Sequence, residues 1–381
     1  MTDDAAPAGN RDPARSTLWA VLRGLGTSDE EIARAERDGT LTLLTVERMM
    51  VPEPGRYDLD EVTRRTGLSP DLLTRLWRSL GYPEPRPGDK AFNDADVEIL
   101  ARVGELVEHD PDREPLVLQV SRVLGSSMAR IAAAEVDVIR GPSAPPGDTD
   151  ALVDEEVVSG AGALLSMMPR ILEQAWRRHL QAAVRRRMVA VAGNDRADVV
   201  VGFADLVGFT ALSQQVSEVE LSGIVGEFEA LAFDVITAGG GRVVKTIGDE
   251  VMFTVASPKA AAEIALSLSE GTRASDELGD VRVGMASGPV LDREGDLFGP
   301  VVNLASRITA IALPGSVVIG PELAAALEDD PDYVVKPMRP RYLKHIGRVH
   351  LRVLRRADPE AGPSRFADRR QALRDAVRAR Y

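Results

Sequence analysis

Near residue 192 the hydrophobic pattern of this 381-residue chain changes period, and that change limits what the chain can fold into. Before it, apolar residues recur at helical spacing through one segment after another. After it comes "VVVGFADL" at 199–206, apolar except for one acid, which is the mark of a buried strand. The rest alternates strand and helix as far as "YLKHIGRVHLRVLRR". The expectation is an α+β protein: an all-helical N-terminal domain followed by a domain with a ferredoxin-like sheet.

The polar, acidic start is expected to be disordered over residues 1–16, with a helical regulatory and dimerisation domain over 17–190. In "TSDEEIARAERDG", Thr27 or Ser28 caps a helix and Gly39 stops it. Residues 116–140 read as one amphipathic helix, bent at Gly125, and "GPSAPPGDTD" as a loop. The following segment is expected to be helical for most of its length, with a transmitter role as one reading. It ends in a basic section of Arg177, Arg178, His179, Arg185, Arg186 and Arg187. That section is either a solvated face near a helix C-terminus or a surface that docks on acidic groups of the next domain.

Around "TGLSP", Gly67 ends one short helix and Ser69 caps the next. With the wing-like "YPEPRPGDKAFND", this stretch at about 57–100 resembles the helix-turn-helix start of MerR-type regulators. Arg64, Arg65, Arg75, Arg78 and Arg86 are cations a DNA reader needs, but Asp58, Asp60, Glu61 and Asp71 lie among them. The formal net charge of −13 also argues against a phosphate footprint. Nucleic acid is therefore not expected as a partner.

The chain has no cysteine, which excludes disulfides, thiol catalysis and thiolate zinc sites. Its four histidines are scattered, so any metal should be a hard ion held by carboxylates, Mg²⁺ or Mn²⁺. No run of 18 apolar residues and no signal-peptide core is present, so a cytoplasmic protein is expected, with peripheral membrane contact left open.

The second domain is expected over 192–356, with a charged tail over 357–381. Asp205 interrupts its first strand, where an acid is costly unless paired or bound to metal. Asp249 sits at the Gly248-Asp249 turn of the hairpin "RVVKTIGDEVMFTV". Read alone, that hairpin is a surface turn with a solvated acidic tip. If its strands neighbour the first strand, the two carboxylates converge and suit one or two divalent ions. Gly208 then starts a turn into a helix, and the amides of Leu206, Val207, Gly208, Phe209 and Thr210 form a candidate phosphate cradle. No GxxxxGK[ST] or GxGxxG pattern is present.

Together "FADLVGFTALS", "GGRVVKTIGDEVMF", "VRVGMASGPV" and "GDLFGPVVNLASRI" resemble the catalytic domain of the class III nucleotidyl cyclases. A helical domain ahead of a single such domain looks like the autoregulated actinobacterial members, some of them pH-responsive. The resemblance implies an adenylate cyclase that converts ATP to 3′,5′-cyclic AMP and pyrophosphate with two Mg²⁺ or Mn²⁺ ions per site. It implies that Asp205 and Asp249 bind the metals, that Lys245 and Asp296 read the purine, and that Asn303 and Arg307 serve the transition state. It also implies a homodimer with sites shared between chains. A terminal-phosphate lysine is placed by the same resemblance at Lys344, with Arg341 and Arg348 as rivals. A lysine donor with an aspartate acceptor complements N1 and N6 of adenine and opposes guanine.

The input to the N-terminal domain stays open among a small molecule, a lipid and a proton. His179, among arginines, is a candidate titrating group. "ALLSMMPRILEQAW" is core, dimer interface or the lining of a lipid pocket. The alternatives to an active cyclase are a catalytically silent signalling module and a DNA-binding regulator with a cyclase-like sensor.

Overall fold

The structure, a computed structural model, describes residues 13–51, 53–140, 155–192 and 198–357. It divides into two compact units, Met1–Leu180 and Gln181–Tyr381. The expected loop at 141–150 and the tail beyond Ala357 lie outside the described residues.

The first unit is helical where described. Its elements are α1 (Pro13–Gly24), α2 (Asp29–Arg37), α3 (Leu41–Met50), α4 (Leu59–Thr66), α5 (Pro70–Ser79), α6 (Asp94–His109) and α7 (Glu114–Arg140). Helix α8 (Glu155–Ala192) begins in this unit and ends in the second. Because α1 starts at Pro13, the expected disorder to residue 16 is corrected over its last four positions; Pro is well suited to a first helical turn. Ser28, not Thr27, caps α2, its hydroxyl accepting from the Glu31 amide at 3.3 Å. Gly67 closes α4 with φ 72°, and the Ser69 hydroxyl caps α5 through the Leu72 amide at 3.2 Å.

Helix α7 continues unbroken through Gly125. A Cβ there would lie 2.4 Å from the Leu80 carbonyl oxygen, so this glycine answers close packing against the end of α5. Helices α4 and α5 follow one another across the Gly67–Ser69 turn, and three of the five arginines of this stretch are engaged. Arg75 donates to Glu114 at 2.7 Å, Arg78 pairs with Glu84, and Arg65 stacks 4.3 Å over the Tyr57 ring.

The second unit carries β1 (Val199–Leu206), α9 (Phe209–Leu212), α10 (Glu218–Ala238), β2 (Arg242–Ile247), β3 (Glu250–Val255), α11 (Pro258–Ala274) and β4 (Val281–Gly288). There follow β5 (Leu291–Arg293), β6 (Asp296–Phe298), α12 (Pro300–Ile311), β7 (Val317–Ile319), α13 (Pro321–Leu327) and β8 (Tyr333–Pro337). The last are β9 (Arg341–Leu343), β10 (Gly347–Val349) and β11 (Arg352–Arg356). The main sheet has the order β2-β3-β1-β4-β7-β11-β8. Its first four strands are antiparallel throughout, in the ferredoxin-like order, and β7 extends them parallel to β4.

Strand alternation sorts β1 onto two cores. Val200 and Ala204 face Phe228, Ile236, Ile264 and Leu268 of α10 and α11. Val201 and Phe203 face the other way, with Met252, Ala286, Ala305 and Ile308, under α12. Helix α12 lies directly on β4. A Cβ on Gly284 would come 2.2 Å from the Thr309 amide nitrogen, so a side chain at that position would force helix and strand apart.

Candidate active site

Asp205 lies one residue from the end of β1, with Glu250 of β3 and Arg282 of β4 as its Cα partners on either side. The Leu206 amide donates to the Asp249 carbonyl at 3.1 Å, which brings the β2–β3 turn against the end of β1. Gly248 supplies the positive φ of 64° that the two-residue turn needs. Asp205 is buried, and Arg282 Nε donates to its Oδ2 at 2.6 Å while Nη2 reaches the same oxygen.

The acids press on one another. Burial pushes the Asp249 carboxyl up, and the neighbouring Asp205 adds to that as both charge and hydrogen-bond partner. Glu250 is pushed up to about 7 by burial, then by Asp205 and Asp249. Arg282 opposes both shifts. Crowded, partly buried carboxylates with no histidine or cysteine among them fit a hard divalent cation. Among the described residues no group of three or more His, Cys, Asp or Glu is arranged to hold a metal ion.

Further along the hairpin, Lys245 Nζ donates to Asp296 Oδ2 at 2.5 Å, with both side chains about one-third exposed. The second oxygen, Oδ1, accepts from the Leu297 amide at 2.8 Å. The two residues that the resemblance assigns to the purine, 51 positions apart, thus form an ion pair with each other.

Asn303 and Arg307 stand four residues apart on α12, both exposed, while Val301, Ala305, Ile308 and Thr309 bury the opposite face. One helical turn therefore presents a permanent cation and an amide on the same outward stripe.

The amide cradle is corrected in part. The Leu206 amide is already bonded to Asp249, and the Val207 amide donates to the Asp280 carbonyl at 2.8 Å, so neither is available to a ligand. Gly208, Phe209 and Thr210 remain, Gly208 at φ 83° ahead of the four-residue α9. Lys344 is exposed at the tip of the β9–β10 hairpin, with Arg341 and Arg348 exposed on its strands. The apolar run 163–176 lies on α8, where Met167, Ile171 and Trp176 are exposed. An apolar cavity of about 910 Å³ lies elsewhere in the first unit, lined by residues such as Trp77, Leu100 and Leu116 of α5, α6 and α7.

Arg282 is the site residue that sequence reasoning missed. Its signal was a charge inside the apolar "VRVGMASG", the counterpart of the lone acid inside "VVVGFADL".

Comparison with known proteins bears on both units. The family described as "Adenylate and Guanylate cyclase catalytic domain" matches residues 191–354, and "Adenylate cyclase regulatory domain" matches residues 8–184. An adenylate cyclase of Streptomyces coelicolor is 38% identical over 291 residues, covering 74% of this chain and 75% of its own length. A pH-sensitive adenylate cyclase of Mycobacterium tuberculosis is 32% identical over 379 residues, covering 95% and 92%. Among solved structures, the guanylate cyclase domain of RhGC from Catenaria anguillulae in complex with GTP matches at a TM-score of 0.40 and 21% identity, over 43% of this chain and 98% of that one.

Proposed function

The chain belongs to the adenylate cyclase family, and from that premise we propose that it converts ATP to 3′,5′-cyclic AMP and pyrophosphate at sites built between two copies of itself. The observation that carries the ATP reading is the formed Lys245–Asp296 pair, an ammonium donor beside a carboxylate acceptor. That pair complements N1 and N6 of adenine, whereas guanine would set donor against donor and acceptor against acceptor.

Asp205 and Asp249 are the residues that would hold Mg²⁺ or Mn²⁺, because a divalent ion offsets the burial and the Asp205 charge that raise the Asp249 carboxyl. Bound there, the ions supply acidification of the ribose 3′ hydroxyl and neutralisation of the phosphates. Arg307 presents a rigid, always-charged fork to the oxygens of the five-coordinate phosphorus. Asn303, one turn earlier, orients the ribose, a positioning role. Gly208 to Thr210 and Lys344 are the candidate contacts to the polyphosphate.

A site shared between chains is supported by where the groups lie. Lys245 is on β2, the edge strand of the sheet, and Asn303 and Arg307 face outward on α12. A two-fold dimer then makes two equivalent sites. The N-terminal unit acts on dimer geometry in this reading, with a proton, lipid or small molecule as its input.

The test is a direct assay of purified full chain with ATP or GTP and Mg²⁺ or Mn²⁺. Cyclic AMP as the dominant product supports the reading. Preference for GTP, or no turnover of either, overturns it.

A further inference from the structure

Asp296 sits on a hairpin with little to hold it. Strands β5 and β6 have three residues each and form a two-stranded sheet apart from the main one. Such a hairpin is marginal by itself and takes its place from outside contacts. Its turn, between the paired residues Arg293 and Asp296, is Glu294-Gly295, with φ of 58° and 83°. Leu297 anchors it from below, buried in the core under α12.

Besides the Lys245–Asp296 pair, a further tether is Arg242, at the start of β2. Its Nη1 donates to the Gly295 carbonyl at 3.0 Å, and Nη2 lies 3.4 Å from Asp292 Oδ2. One guanidinium therefore spans the hairpin, touching the residue immediately before Asp296.

Arg242 and Lys245 are three residues apart, and in a regular strand they would point to opposite faces. They do not, because β2 has a bulge between Val243 and Lys245. Arg242 pairs with Thr254 and Lys245 with Met252, two positions apart on β3, so both fall on one face. The bulge thus aims two cations at the same short hairpin. Lys245 takes the Asp296 side chain, and Arg242 takes the backbone from which it springs.

We propose that Arg242 is a specificity-determining positioning residue: by holding the Gly295 carbonyl it keeps the Asp296 carboxylate on Lys245 and so fixes which purine the pair accepts. The mechanism is orientational. With Oδ1 bound to the Leu297 amide, the carboxylate follows any rotation of the Gly295–Leu297 backbone. This inference rests on the reading of Lys245 and Asp296 as the base-reading pair.

The experiment measures kcat/KM for ATP and for GTP on full-length protein. The variants are Arg242→Ala, Arg242→Met, Arg242→Lys, Asp296→Ala and, as a control across the sheet, Arg356→Ala. Arg242→Met keeps the apolar stem and loses every donor, so it serves where Arg242→Ala does not fold. The expected result is a fall in the ATP-to-GTP ratio of about tenfold or more in Arg242→Ala and Arg242→Met, seen mainly in KM for ATP. Arg242→Lys, which keeps a donor, recovers part of the ratio. Arg356→Ala lowers the melting temperature and leaves the ratio alone, which separates positioning from general destabilisation. A wild-type ratio in Arg242→Met, with the ratio collapsed in Asp296→Ala, overturns the role of Arg242 alone. A wild-type ratio in Asp296→Ala overturns the base-reading assignment and this inference with it.

Discussion

Arg282 on β4 grips Asp205 on β1 across adjoining strands, with Nε 2.6 Å from Oδ2. The pair places a fixed cation beside the Asp249 and Glu250 carboxyls, which burial, and then repulsion among the acids, pushes up. Arg282→Ala leaves Asp205 buried and uncompensated. A fully buried pair broken this way costs about 3–5 kcal/mol, and with Arg282 partly exposed the expected loss is about 2–3 kcal/mol. Chemical denaturation with a chelator present measures it. Added Mn²⁺ should then stabilise the variant more than the wild type, because the ion replaces the lost charge. Equal stabilisation of the two would show that the ion does not reach Asp205.

Arg307→Ala should lower kcat by roughly a hundred- to a thousandfold with KM for ATP little changed, matching the loss of about 3–4 kcal/mol when a transition-state donor is removed. Steady-state kinetics decide it. A large rise in KM with kcat intact would reassign Arg307 to ground-state binding.

Shared sites make a prediction about mixtures. Asp205→Ala and Arg307→Ala chains should each be nearly inactive alone. Half of randomly mixed dimers pair the two variants, and each of these has one intact site of two, so activity should return to on the order of a quarter of wild type. If mixed dimers form, as shown with two affinity tags, and no activity returns, each chain builds its site by itself.

Gly284→Ala would set a methyl 2.2 Å from the Thr309 amide nitrogen. Overpacking of this kind costs roughly 1–3 kcal/mol. Because α12 carries Asn303 and Arg307, the same shift moves both side chains, and kcat should fall along with the melting temperature. Loss of stability with full kcat would mean that β4 and not α12 gives way.

Acid sensitivity of the second unit should trace in part to Glu263 of α11. Burial works against its charge, but hydrogen bonds from the Tyr333 hydroxyl at 2.5 Å and from Arg356 at 2.6 Å prevail, and the carboxyl stays below its ordinary value of 4.5. A depressed folded-state pKa gives stability that is present above the unfolded value and lost as pH falls through the folded one. Stability measured from pH about 6 down to about 3 should therefore fall less steeply in Glu263→Gln than in wild type. Parallel curves would show that the bonds to Tyr333 and Arg356 do not favour the charged form.

Part of the site was legible because its residues break local rules. Asp205 stands out as the one acid in an apolar strand and Gly248 marks a turn that needs positive φ, whereas Lys245, Asp296, Asn303 and Arg307 stand out only through the resemblance to the cyclase domain. What stayed hidden was short or non-local. Strands β5, β6 and β8 are three to five residues long, too few to set up a period. The engaged amides of Leu206 and Val207 depend on where Asp249 and Asp280 are brought by folding. Gly125 read as a bend because a helical glycine has a local cost, yet its reason is the backbone of Leu80, 45 positions earlier.

The sequence by itself determined the division into helical and α+β parts, the ferredoxin-like order and the two strand-end aspartates, since periodicity, turn chemistry and buried charge are written in neighbouring residues. Only the tertiary structure decided that Arg282 answers Asp205 and that one bulge turns Arg242 and Lys245 to the same hairpin. Strand pairing and register act between segments tens of residues apart, where no local pattern records them.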